Sequence, residues 1–228
     1  MTLPAGAHER RGPEPGEEDK GRDEHELRAR AGSAQALYFF GVTRARGFRP
    51  IRRNEDADIV HIRYRDLDAL VRPTTFEMPA LDEGSVLAHQ RVIERAMRRG
   101  TVLPAPYGIV LRGRRQLIRM LEDQYLVLDD GLAFLDGHWE LRVHIQTSSG
   151  PDSAEQATQF YAELRRFARA SVPFTATNGG ISGAAYLVER STWLEFMTRA
   201  EELASAHHDL TLDITGPWPP YDFVRVTR

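Results

Sequence analysis

Over residues 138–146 the side chains alternate with a period of two: Trp139, Leu141, Val143 and Ile145 fall on one side, Glu140, Arg142, His144 and Gln146 on the other. A pleated strand turns such alternation into one apolar and one polar face, and the apolar face has to be covered by the elements that follow. Those elements are legible. Ser153 and Gln156 form a capping-box pair ahead of a helix whose apolar side is Ala157, Phe160, Tyr161, Leu164, Phe167 and Ala168. Two extended segments, 172–177 and 184–188, bracket the turn signal Asn178-Gly179-Gly180. Ser191 caps a helix carrying Trp193, Met197, Ala200 and Leu203 inward, and Leu210, Leu212 and Ile214 alternate as a last strand. The order strand, helix, strand, strand, helix, strand predicts a ferredoxin-like βαββαβ domain over residues 137–228, with two helices on one face of a four-stranded antiparallel sheet.

The preceding residues predict a second unit. Residues 36–42 are an aromatic and aliphatic run suited to a buried strand, and over 58–64 Val60, Ile62 and Tyr64 alternate with Ile59, His61 and Arg63. Over 82–99 the period becomes helical, with Val86, Ile93 and Met97 on one face, Asp82 or Ser85 as N-cap and Gly100 as the stop. Residues 101–110 are extended, and Pro104 and Pro106 place them at a sheet edge or beside a bulge. Leu117, Leu121, Leu128, Leu132 and Leu135 mark one face of a single helix over 113–136. Residues 34–136 are therefore expected to form a small N-terminal α/β sandwich, and the chain an α+β protein of two domains. Residues 1–33, with eight acids, six Lys or Arg, three Pro and five Gly, can bury almost nothing and are expected to be a disordered tail, either a solvated extension or a weak docking arm.

Chemistry-bearing patterns are few. The chain has no cysteine, which excludes disulfides, thiolate nucleophiles and Cys-ligated metal centres. It has no phosphate-binding or dinucleotide glycine motif, no HExxH and no EF-hand loop, so no cofactor, metal or catalytic residue is expected. The run Gly179-Gly180-Ile181-Ser182-Gly183 lacks the spacing and the strand-turn-helix context of a serine-nucleophile elbow. His89 reads as a surface neighbour of Glu94 or Arg91, and Asp129-Asp130 as a solvated helix face. A formal charge of -3 gives no overall attraction to nucleic acid or to an anionic membrane, and neither is expected as a partner. The lack of any apolar run near the ~20 residues of a spanning helix, and of a signal-peptide core, predicts a cytoplasmic protein.

Two arginine clusters are candidate partner-binding sites: Arg44, Arg46, Arg49, Arg52 and Arg53, then Arg112, Arg114, Arg115 and Arg119 where the helix over 113–136 begins. Guanidinium groups suit carboxylates or phosphates, so a solvated face, an acidic protein and nucleic acid are the alternatives. The least ordinary string is Gly216-Pro217-Trp218-Pro219-Pro220-Tyr221. Its three prolines fix an extended path that is expected to leave the sheet after Ile214, with the two rings packing as a clamp over the C-terminal domain or into a partner groove.

Together with its neighbours, that string carries a resemblance. LTLDITGPWPPYDFV over residues 210–224, preceded by AAYLVERSTWLEF over 184–196, is similar to the closing segments of the GvpL/GvpF family of gas vesicle proteins. LYFFGVT over 37–43, LAHQRVIERAM over 87–97 and TVLPAPYG over 101–108 resemble the family's opening strand, a histidine-bearing helix and a Leu-Pro strand, in the same order. The resemblance implies two α/β domains and a gas-vesicle-associated assembly factor, not an enzyme, that binds the small hydrophobic shell protein and other accessory proteins, the first domain making the shell-protein contact. The competing readings are a small-molecule enzyme and an RNA-binding protein on a ferredoxin-like scaffold.

Overall fold

The computed structural model describes residues 36–45, 58–147, 153–175, 181–206 and 210–224. The aromatic run becomes strand β1 (Ala36–Arg44), buried on both sides. A strand with two buried faces needs a layer on each, and its side chains divide accordingly. Leu37, Phe39 and Val42 enter one apolar cluster, Tyr38 and Phe40 another. A bulge between Phe39 and Gly41 shifts the register against β3 (Leu67–Thr74). Gly41 sits there at φ +152°, where a Cβ would lie 2.5 Å from the Leu103 carbonyl oxygen, so no other residue fits.

Strand β1 is the hub of an antiparallel five-stranded sheet in which β2 (Val60–Tyr64), β3, β1 and β4 (Val102–Pro104) follow in that order, with β5 (Val110–Leu111) also paired to β1. The extended segment expected over 101–110 thus divides into two short edge pieces, as its prolines require. Strand β3 has no counterpart in the expected pattern, because residues 67–71 are buried on both faces and do not alternate.

Helix α1 (Glu83–Met97) covers the Tyr38 and Phe40 side; it starts at Asp82, whose carboxylate accepts the Ser85 N–H at 2.9 Å. Helices α2 (Gly113–Asp123) and α3 (Tyr125–Leu135) cover the other side. They are two helices and not the single one expected, since the backbone breaks at Gln124 (φ -105°, ψ 11°). The leucine spacing survives the break: Leu117, Leu121, Leu128, Leu132 and Leu135 all enter one cluster, each burial worth about 1.5–3 kcal/mol.

The second half runs β6 (His138–Thr147), α4 (Ser153–Leu164), β7 (Ala170–Thr175), β8 (Ile181–Glu189), α5 (Trp193–Ser205) and β9 (Leu210–Trp218), its antiparallel sheet ordered β7, β8, β6, β9. The class is α+β with two antiparallel sheets. Leu141 and Val143 meet Phe160, Tyr161, Leu164, Phe196 and Ala200 of the two helices in one cluster, as the period-two pattern requires. Phe167 departs from its expected place: a 3-10 turn over Arg165–Phe167 carries it out of the apolar face, and its exposed ring lies 5.6 Å from the Arg199 guanidinium. Ser182 lies within β8, its hydroxyl donating to the Phe174 carbonyl at 3.2 Å. The turn at residues 178–180 and residues 1–33 fall outside the described residues.

Candidate functional site

The closing string does not leave the sheet where its prolines suggest. Strand β9 runs on to Trp218, which pairs with Glu140, while Thr215 pairs with Arg142; the extra residue is taken up in a bulge at Gly216 and the cis-bonded Pro217. Gly216 has φ +128°, and a Cβ there would lie 2.9 Å from the Glu140 carbonyl oxygen. Because β9 is an edge strand, Pro217 removes no ladder donor that the sheet needs. Pro219 and Pro220 are buried, and a 3-10 turn over Tyr221–Phe223 follows.

The clamp also closes on a different target from the expected one. Tyr221 packs on the cluster of Tyr38 and Phe40, and Phe223 and Val224 pack on the cluster of Leu37 and Leu132, so the strap binds the first half of the chain. The reason is geometric: helices α4 and α5 cover only the Leu141 and Val143 face of the second sheet. Its other face, which sends Leu187 into the first half's core, is where the strap lies.

Glu140 bolts the strap down. Alternation places it on the polar face of β6, yet it is 0% exposed. One carboxylate oxygen accepts from Arg142 Nε at 2.8 Å and the other from the Asp222 N–H at 3.0 Å, while Arg142 Nη2 reaches the Asp222 carboxylate at 3.0 Å. Burial and the neighbouring Asp222 charge push the Glu140 carboxyl up to about 8 against the opposing pull of Arg142.

On the first sheet the chain leaves β3 at Thr74 and crosses to α1 through an unpaired segment, residues 75–81, that points apolar side chains outward. Phe76 is 45% exposed, Met78 86% and Leu81 86%, with Leu87 of α1 at 40%. The segment is nonetheless held. The Tyr107 hydroxyl donates to the Ala80 carbonyl, and the Arg112 guanidinium stacks 4.7 Å from the Phe76 ring centre.

Beneath it lies a buried polar string. The Gly108 N–H donates to Tyr38 Oη at 3.2 Å, Tyr38 lies 2.9 Å from His89 Nδ1, and His89 Nε2 lies 3.1 Å from the Ala105 carbonyl. A carbonyl can only accept, so Nε2 carries the His89 proton and Nδ1 accepts from the Tyr38 O–H. His89 is therefore a buried neutral residue stacked on Phe40, not the surface neighbour expected from sequence, and burial holds its pKa below the usual value. The Tyr107 ring packs edge-on against both Tyr38 and His89, tying the exposed segment to the core.

Arg44 and Arg112 stand at opposite ends of β1, because Arg44 pairs with Leu67 whereas Leu111, next to Arg112, pairs with Leu37. Arg44 is engaged within the chain: it bridges Asp66 at 2.8 Å and Asp129, so Asp129 is no bare solvated carboxylate. The Tyr125 hydroxyl, 2.6 Å from Asp66, holds that carboxyl below its usual range. Arg46, Arg49, Arg52 and Arg53 lie outside the described residues. Arg112, Arg114, Arg115 and Arg119 are exposed and form no salt bridge among the described residues. Sequence reasoning passed over Phe76, Met78 and Leu81, which follow neither a helical nor a strand period; three large apolar residues crowded around Pro79 in a non-periodic segment was the available signal.

Among the described residues no group of three or more His, Asp or Glu could hold a metal ion, and no helix is long and apolar enough to cross a membrane. The family profile described as gas vesicle synthesis protein GvpL/GvpF matches residues 36–152 and 150–225. Gas vesicle protein F2 of Halobacterium salinarum is 30% identical over 173 residues, covering 72% of this chain and 79% of that one. Gas vesicle protein F of Haloferax mediterranei is 27% identical over 172 residues, covering 72% of this chain and 80% of that one. The fold matches the crystal structure of the gas vesicle protein GvpF from Anabaena sp. PCC7120 with a TM-score of 0.71 at 16% identity, over 86% of this chain and 100% of that one. The Microcystis aeruginosa GvpF structure gives 0.68 at 17% identity, over 83% and 98%.

Proposed function

The chain belongs to the GvpL/GvpF family of gas vesicle synthesis proteins, and from that membership we propose that it is a non-enzymatic assembly factor that binds the small hydrophobic shell protein, with other accessory proteins, during vesicle formation. We assign this contact to the N-terminal domain, residues 34–136, and specifically to the apolar segment of residues 75–81 with Leu87. A shell subunit with exposed apolar surface aggregates before assembly unless a partner shields it. The observation that carries the assignment is that Phe76, Met78 and Leu81 project outward from a segment held to the fold by Tyr107 and Arg112. Such contacts matter because a preordered surface loses less entropy on binding. The second half, with its βαββαβ order and strand order β7, β8, β6, β9, is a ferredoxin-like module that buttresses the first through the strap. The protein works in the cytoplasm, in association with the vesicle.

The test is capture of co-expressed shell protein by the tagged full chain and by the triple variant Phe76→Ser, Met78→Ser, Leu81→Ser. These side chains are exposed, so each substitution is expected to change stability by no more than about 0.5 kcal/mol. Wild type captures the shell protein and the variant loses at least about tenfold of that capture, the equivalent of ~1.4 kcal/mol. Equal capture by both would remove the segment from the contact.

A further inference from the structure

The edges of the two sheets are guarded unequally. In the second sheet β7 and β9 lie at the two edges. Strand β7 carries Pro173 in its interior and a register shift between Phe174 and Thr175, two devices that keep another strand from adding. In the first sheet β4 ends on Pro104, and β5 is only two residues long. Strand β9 has no such guard over residues 211–215, which hold no proline, lysine or arginine. Among the described residues its outer backbone groups pair with nothing, because β6 is its one neighbour there. The strap is fixed elsewhere: Thr211 pairs with Gln146 at one end of β6, whereas the strap is held to Glu140 toward the other.

The two sides of this edge differ in chemistry. Leu212 and Ile214 are half-buried and line a groove with Met197, Glu201, Ala204 and Ser205 of α5. Thr211 and Asp213 fall on the opposite side and are exposed. A strand added here has to bring an apolar residue beside Leu212 and a partner for the Asp213 carboxylate. The same segment of another copy meets both needs. In an antiparallel pair whose two-fold axis passes through Leu212, that residue faces its own equivalent, and Thr211 faces Asp213 of the other copy, twice by symmetry. Moving the axis one residue on, to Asp213, would set two carboxylates directly opposite, which is unfavourable. We propose that the chain self-associates through β9 in the Leu212-centred register, joining two four-stranded sheets into one of eight strands. The axis is perpendicular to the sheet, so Leu212 and Ile214 of both copies share the α5 side and extend the apolar groove across the junction. The pairing stands independently of the assembly role.

Sedimentation of the full chain from ~1 μM to ~1 mM tests this, and a monomer–dimer equilibrium with a micromolar dissociation constant is expected. Thr211 is exposed, so changes there should leave the fold intact, with an unchanged unfolding midpoint as the control. Thr211→Asp sets like charges opposite Asp213 twice, and Thr211→Lys sets opposite ones. The dimer dissociation constant of the first should therefore exceed that of the second by at least about tenfold. The chain has no cysteine, so an introduced one reports only its own contact. Directly opposed residues of an antiparallel pair lie about 4.5–5.5 Å apart between Cα atoms, within disulfide range, whereas diagonal neighbours lie too far. Under mild oxidation Leu212→Cys should link to itself. Thr211→Cys and Asp213→Cys should each stay unlinked alone and link to each other when mixed. A chain that stays monomeric across the series would overturn the dimer, as would a dimer indifferent to the charge at residue 211. Self-linking of Asp213→Cys in place of Leu212→Cys would overturn the register.

Discussion

Glu140→Ala is expected to lower the stability of the folded chain by about 3 kcal/mol, measured by chemical denaturation at pH 6, because it removes a buried acceptor shared by β6 and the strap. The Asp222 N–H and the Arg142 Nε would both lose their partner, and Tyr221, Phe223 and Val224 would lose one of the two polar links that tie their strap to β6, leaving only the Arg142–Asp222 pair. Since those rings bridge the two halves, the unfolding transition should also broaden as the halves uncouple. The same carboxyl gives a pH signature. Its folded value of about 8 lies above the ordinary 4.5, so between those values the folded state holds a proton that the unfolded chain has released. Stability from this group is fully present below pH 4.5 and is progressively lost as pH rises to about 8. Glu140→Gln cannot titrate, so the stability difference between wild type and this variant should shrink on going from pH 5 to pH 8. A difference that stays constant or grows over that range would show that Glu140 is ionised in its buried seat.

The second large effect is expected at His89. Changing it to Ala removes a fully packed ring stacked on Phe40 and leaves the Tyr38 O–H and the Ala105 carbonyl without a partner. A cavity and two orphaned polar groups together amount to a loss of about 3–5 kcal/mol. The pH dependence has the opposite sign to that of Glu140. Burial lowers the pKa of both His89 and His61, so on acidification below about 6.5 the unfolded chain takes up protons at these two residues that the folded one refuses, and their contribution to stability falls. The variant should retain only the His61 share of that loss between pH 7 and pH 5.5. Because the Tyr107 ring leans on His89 and its hydroxyl holds Ala80, hydrogen exchange at residues 75–81 should also quicken.

Where one face of an element met one apolar layer, the sequence pattern was sufficient. The apolar side of β6, Asp82 as one of the two caps expected for α1, and the Ala157, Phe160, Tyr161 and Leu164 face of α4 all read correctly, since the apolar period reports the buried side there. It failed where burial came from two sides or from far along the chain. Strand β3 is covered on both faces and carries no alternation to detect. Gln124 breaks a helix without a Gly or Pro to announce it, and the leucines keep their spacing across the gap. Glu140 was assigned the correct side of its strand, but that side is sealed by Asp222, which arrives from the other end of the second half. The rings of the closing string were legible as docking groups, while their target on the first half was set by which sheet face lacked helices, a property of the assembled fold. The candidate contact at Phe76, Met78 and Leu81 was the hardest to see, because an unpaired segment has no period at all.

The most direct test of the central claim is complementation. In a vesicle-forming host lacking this protein, wild type should restore gas vesicles, while Phe76→Ser, Met78→Ser, Leu81→Ser, accumulating to the same level, should not. Vesicles that form normally without the protein would contradict its role in assembly, and vesicles restored in full by the triple variant would contradict the surface assigned to it.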